Sequence, residues 1–273
     1  MNKIPLVLYV AASLVYVLHF IKCSSTAGRI ATLTLITAIL AHTFVLGMQT
    51  MKMGQIPFVS TTDAVSAFVW LLAMSYLYTE MTTDERAMGV LIVPLLAVLK
   101  IIPAFGEPAL TKPPVLNSAW FTLHVSSLLF AYASFALACV IGITYVLLFR
   151  ELKEKRLGFF YARLPPLHIL DIMNGRAVTV GWIFLTIGVT IGGIWLGQVQ
   201  TKSLDPRIQA MSLSDPKIFM VIICWFVYSF ELYARKTIGW NGRKGAWLSA
   251  VGFAIVLLNL LPIGYFLTKS HNF

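Results

Sequence analysis

The chain has 273 residues, 58% of them hydrophobic and only 12% charged, with a mean hydropathy of +0.81 and a net charge of +10. A soluble domain carries about 25% charged residues, so this chain cannot cover its surface with charge, and its solvent is lipid. The positive balance does not point to nucleic acid, because the basic residues stand in short loops between apolar runs, where they act as orientation signals.

A bilayer core takes roughly 17–25 mostly apolar residues per helix. On that measure the chain reads as an all-α, polytopic membrane bundle of about eight transmembrane helices, a single membrane domain over 1–273. The first apolar run, 5–21, follows Lys3 like a signal start. No small-residue cleavage site precedes Cys23, so the run is expected to stay as the first helix. The second run, 30–48, carries His42. At 1.5 Å per residue His42 lies roughly 18 Å in, slightly past the midplane. The third, 63–79, is the least apolar, with Ser66 and Ser75 inside it. Asp63, after Ser60, Thr61 and Thr62, reads as a helix N-terminus rather than a metal site. The fourth, 87–105, holds Lys100 near its outer end, where a long stem lets the ammonium snorkel to water.

The fifth run, 118–149, is the longest and carries His124 near its start, roughly 39 Å along the helix from the opposite end at Arg150 and beyond the hydrocarbon. The sixth covers 177–197 and the seventh 217–234, where Glu231 stands four residues before Arg235, the spacing of a helix ion pair. The eighth, 246–268, contains Asn259 and Pro262, and His271 follows it.

The alternate loops that hold Lys22, Arg29, Arg86, Arg235, Lys236, Arg243, Lys244 and the basic stretch 150–176 carry 13 of the 21 basic residues. The positive-inside rule puts these loops in the cytoplasm and both termini outside a bacterial inner membrane. Cys23, Cys139 and Cys224 lie far apart and form no C-x-x-C pair, against a disulfide scaffold, thiol relay or zinc site. No phosphate-loop, nucleophile-elbow or zinc-protease motif supports ATP-driven or hydrolytic chemistry.

With that orientation His124 and His271 fall outside at similar heights, and His42 lies deeper on the same side. Two imidazoles can clamp a haem iron axially, and a histidine inside a bilayer is a functional candidate by default. The competing reading is structural: His124 bonded to a neighbouring helix, His271 in a tail, and His42 in an interhelical hydrogen bond.

The C-terminal half carries a more specific signal. Leu164-Pro165-Pro166-Leu167 through Arg176, Val180-Gly181-Trp182 and Gly192-Gly193-Ile194-Trp195 are followed by Asp215-Pro216-Lys217, Trp225-Phe226-Val227-Tyr228 and Gly239-Trp240-Asn241-Gly242-Arg243-Lys244-Gly245-Ala246-Trp247. Together with Trp120-Phe121-Thr122-Leu123-His124-Val125 and the closing Ser270-His271-Asn272-Phe273, this pattern resembles the cytochrome c assembly protein family, the CcsA-, CcmC- and HemX-type membrane proteins that handle haem. The resemblance covers about residues 30–273. His42, with Gly54, Pro57 and Phe58, fits the family's N-terminal half more loosely.

The resemblance implies a bundle in which two external histidines flank a tryptophan-rich external loop that cradles haem before it passes to an apocytochrome c. His124 and His271 inherit the iron-ligand roles; Trp195, Asp215, Pro216 and Lys217 inherit the haem-handling loop at about 198–216. The cargo or ligand is haem b, the partners are apocytochrome c and a second membrane assembly subunit, and the protein is an assembly factor or haem chaperone more than a turnover enzyme. Where the family shows Trp-x-Trp-Asp-Pro-Lys this chain has Ser212-Leu213-Ser214-Asp215-Pro216-Lys217, Ile218 replaces an acid, and Tyr233 stands where some members carry a further histidine. Those departures leave a second reading, a HemX-like regulator of tetrapyrrole synthesis acting on a soluble enzyme through the basic loop 150–176. A transporter would need paired discontinuous helices and clustered midplane charges, and the sequence displays neither.

Overall fold

The computed structural model describes residues 3–53, 61–106, 118–155, 158, 162–202 and 216–258. Among them the chain forms eight α-helices: α1 (Lys3–Lys22), α2 (Ser25–Met53), α3 (Thr61–Thr83), α4 (Gly89–Phe105), α5 (Ala119–Lys153), α6 (Leu167–Lys202), α7 (Pro216–Tyr233) and α8 (Arg243–Leu258). Helix α7 runs on into a π-helical turn over Ala234–Ile238, which ends at Gly239 with φ 74°. That left-handed conformation suits glycine, which has no Cβ to clash.

Six of the helices are long and apolar enough to cross a membrane, and α4 is a shorter apolar helix of 17 residues. The distribution of side chains is inverted relative to a water-soluble protein. Leu14, Leu33, Leu40, Phe44, Ile143 and Phe226 are exposed, whereas His42, Glu80, Lys100, Asn174 and Glu231 are buried. Lipid costs apolar groups nothing and polar groups several kcal/mol each. Polar side chains therefore turn inward, and the chain is a helical membrane bundle.

The helices alternate in direction. In the N-terminal half, Lys3 at the start of α1 lies 5.0 Å from the Phe105 ring centre at the end of α4. Toward the other end, Tyr16 of α1 meets Glu80 of α3, and Thr32 of α2 meets the same carboxylate. In the C-terminal half, Trp182 and Thr186 of α6 bond Ser229 and Trp225 of α7, a pairing that runs antiparallel. One end of the bundle, the histidine end, thus collects the starts of α1, α3, α5 and α7. The other, the basic end, collects Arg86, Arg150, Arg176, Arg235 and Arg243.

The halves α1–α4 and α5–α8 meet chiefly where α3 packs on α5. Ser75 bonds Ser134 at 3.1 Å, and Arg176 of α6 donates to the Thr82 carbonyl of α3 at 2.7 Å. Helices α5 and α6 approach closely because small residues on α6 admit side chains of α5: Gly181 faces Phe135, and Gly188 faces Leu128. Without a hydrophobic driving force between helices in lipid, such close packing is the main source of association.

Two findings depart from the sequence expectations. Helix α6 begins at Leu167, well before the apolar run at 177, so Asp171, Asn174 and Arg176 are helical. These polar residues are tolerated because they are paired. Arg235 binds Asp171 at 2.8 Å and Glu231 at 3.2 Å, and also donates to Asn174. Asp171 additionally accepts the Gly242 N–H at 2.9 Å. Ser249 of α8 closes the network on Glu231 at 2.6 Å. The expected Glu231–Arg235 pair is present, as one arm of a lock joining α6, α7 and α8. Lys100 is the second departure. It does not snorkel; it is 1% exposed, inside α1–α4.

Candidate functional site

At the histidine end, α5 and α6 bring His124, Phe121, Gly188, Gly192 and Trp195 together. His124 Nδ1 lies 2.7 Å from the Gly188 carbonyl oxygen. A carbonyl only accepts, so Nδ1 carries the proton and the lone pair of the neutral ring resides on Nε2. The same arrangement, with one ring nitrogen held by a backbone carbonyl, orients histidines that bind metals through the other. One turn farther along α6, Gly192 makes the space: a Cβ there would collide with Cε1 and Nδ1 of His124.

Trp195, on the next turn, packs its ring 5.3 Å from Phe121 of α5. Its side chain is buried, and its indole Nε1 has no hydrogen-bond partner among the described residues. A buried N–H left without an acceptor costs about 1–3 kcal/mol. The α6–α7 pairing runs antiparallel, so Trp195, nine residues beyond Thr186, lies toward the end of the pair at which Pro216, the first residue of α7, stands nine residues before Trp225. Pro216 and Lys217 therefore begin α7 at the same end as His124 and Trp195. Asp215 and His271 lie outside the described residues.

His42 lies elsewhere, in α1–α4. It is fully buried, with Nδ1 3.2 Å from the Tyr9 hydroxyl and Nε2 3.0 Å from Ser66 Oγ and 2.7 Å from Lys100 Nζ. Lys100 also donates to Ser66 at 2.6 Å. Tyr9, Ser66 and Lys100 were not singled out as a group by the sequence. The available signal was a lysine inside an apolar run, and its helical depth is the same whether it snorkels or turns inward. Among the described residues no group of three or more His, Cys, Asp or Glu side chains is arranged to hold a metal ion.

The family model for cytochrome c assembly proteins matches residues 2–271. Among curated proteins, the chain is 24% identical to the cytochrome c biogenesis protein CcsA of Trieres chinensis, over 94% of this chain and 90% of that one. It is 25% identical to CcsA of Guillardia theta, over 87% and 83% of the two chains. With CcsA of Synechococcus sp. (strain RCC307) it shares 25% identity over 88% and 85%.

Proposed function

The chain belongs to the cytochrome c assembly protein family, and from that premise we propose that it handles haem on the outer face of a bacterial inner membrane and delivers it to apocytochrome c. In this reading both termini and the histidine end face outward, and the basic end faces the cytoplasm. The protein acts as an assembly factor, together with a second membrane subunit. Its relatives are named for cytochrome c biogenesis, which favours this role over regulation of tetrapyrrole synthesis.

The observation that carries the proposal is the imidazole of His124, held through Nδ1 by the Gly188 carbonyl, beside the buried Nε1 of Trp195, which has no hydrogen-bond partner among the described residues. Haem b would supply an iron that imidazole nitrogens bind and a flat ring bearing two propionates. The residues fit such a group. His124 offers an oriented nitrogen, the Phe121–Trp195 pair offers an aromatic wall, and the indole N–H offers a donor for an anionic edge. His271 is proposed as the second residue that would hold the iron, with Asp215, Pro216 and Lys217 bordering the loop. His124 binds and orients; Gly192 keeps its ring in place; Trp195 excludes water and donates.

The test is the absorption spectrum of the full chain purified in mild detergent. A Soret band is expected, lost when His124 and His271 are both changed to Ala. Protein without haem, purified from a strain that matures its c-type cytochromes normally, would overturn the proposal.

A further inference from the structure

Lys100 is buried among neutral groups. It is 1% exposed, and its two hydrogen bonds go to the His42 ring and the Ser66 hydroxyl. Among the described residues it pairs with no carboxylate. Other buried charges have partners: Glu231 and Arg235 hold each other, and Glu80 accepts from Tyr16 at 2.6 Å and from Thr32 at 2.5 Å; Asp63, one turn before Ser66 on α3, is also buried. An ammonium removed from water costs several kcal/mol unless an anion compensates it. An intramembrane charge that the protein does not neutralise marks a functional site by default.

An ammonium has three N–H donors and no acceptor, so Nε2 of His42 must accept, and Nδ1 carries the ring proton toward the Tyr9 oxygen, 3.2 Å away. The phenol then accepts from the ring, and its own O–H remains to donate. The third N–H of Lys100 and the O–H of Tyr9 are left over, together with one positive charge, and the Ser66 O–H shares the single Nε2 lone pair with Lys100. Donors without acceptors around a cation match an oxyanion. One residue from each of α1, α2, α3 and α4 contributes, all toward the histidine end.

We propose that Tyr9, His42, Ser66 and Lys100 form a binding site for the carboxylate of an amphipathic ligand, separate from the His124 site on α5 and α6. An amphipathic ligand is required because the surrounding helices present an apolar exterior to lipid. The inference rests on the haem-handling reading for its first source, a porphyrin propionate; a fatty carboxylate is the other source of the same chemistry.

The probe is metal-free protoporphyrin IX, which carries both propionates but no iron, titrated by fluorescence into the full chain in a neutral detergent. Its dimethyl ester serves as the uncharged control. The wild-type chain is expected to bind the acid at least about tenfold more tightly than the ester, a difference of about 1.4 kcal/mol. Lys100→Met should abolish that preference and Lys100→Arg should keep part of it, while Cys23→Ser, in the exposed turn at the basic end, should leave it intact. Met removes a buried charge at similar volume, so the variant is expected to fold. Oleate added as competitor assigns the source: displacement shows a site for amphipathic carboxylates in general, and no displacement a site for the porphyrin acid. Equal affinity for acid and ester in the wild type, or an acid preference that survives Lys100→Met, overturns the proposal. Since the probe lacks iron, failure of axial ligation at His124 removes haem binding without touching this result.

Discussion

His124 on α5 is anchored to the carbonyl oxygen of Gly188 on α6 by a 2.7 Å hydrogen bond through Nδ1. This bond joins α5 to α6 and, because a carbonyl only accepts, places a proton on Nδ1. Its geometry depends on the absence of a side chain at Gly192, one turn away.

Gly192→Ala should therefore act on the histidine. The added methyl displaces the ring or parts the helices, and overpacking of this kind costs about 1–3 kcal/mol. The expected result is a lower melting temperature in detergent and less haem per chain, read from the Soret absorbance. Gly193→Ala is the control, since a Cβ there meets nothing within 4 Å. Equal loss in both variants would refute the steric account.

Trp195→Phe separates recognition from packing. The substitution keeps an aromatic ring against Phe121 and deletes an indole N–H that has no partner among the described residues. Stability should hold within about 1 kcal/mol, because a buried unpaired donor is lost. Haem retention should fall. Retention equal to wild type would mean the N–H serves no ligand.

At the basic end, Arg235→Ala leaves Glu231 and Asp171 facing each other without their shared cation. Removing one partner of a buried ion pair costs about 3–5 kcal/mol, so a large drop in thermal stability is expected. Arg235→Lys should recover only part of it, since an ammonium cannot span Asp171, Glu231 and Asn174 as the planar guanidinium does. A full recovery by Lys would show that charge alone matters.

Two buried tyrosines should respond oppositely to loss of their hydroxyls. Tyr228 stacks on Phe135 at 3.6 Å, and its hydroxyl has no partner among the described residues; Tyr228→Phe should be neutral or stabilising. Tyr16 donates to the buried Glu80 at 2.6 Å; Tyr16→Phe should destabilise by about 1–3 kcal/mol. Thermal unfolding of the two variants in the same detergent compares them directly.

Orientation can be read from Cys23, which is exposed in the turn between α1 and α2 at the basic end. In intact cells a membrane-impermeant thiol reagent should leave it unmodified and should label it after permeabilisation. Labelling without permeabilisation would invert the proposed topology.

The number and order of the helices were legible in the sequence, because each apolar run reports directly which solvent its residues meet. The grouping of basic residues at one end and the interest of His124 followed from the same reasoning, and the motifs around Gly192 and Trp195 pointed to the family. Helix ends and polar pairings were not legible. Leu167 opens α6 ahead of its apolar run because Asp171 and Asn174 find Arg235, 64 and 61 residues away. Nothing local to that segment announces the partner. Lys100 shows the same limit. Its depth followed from the length of the apolar run, but its direction was decided by His42 and Ser66, 58 and 34 residues distant. Hydropathy is a property of each residue and its near neighbours, so the sequence alone determined that this chain is a helical membrane bundle. Compensation of a buried charge is a property of a contact, and only the packed helices decided which charges are held by an opposite one.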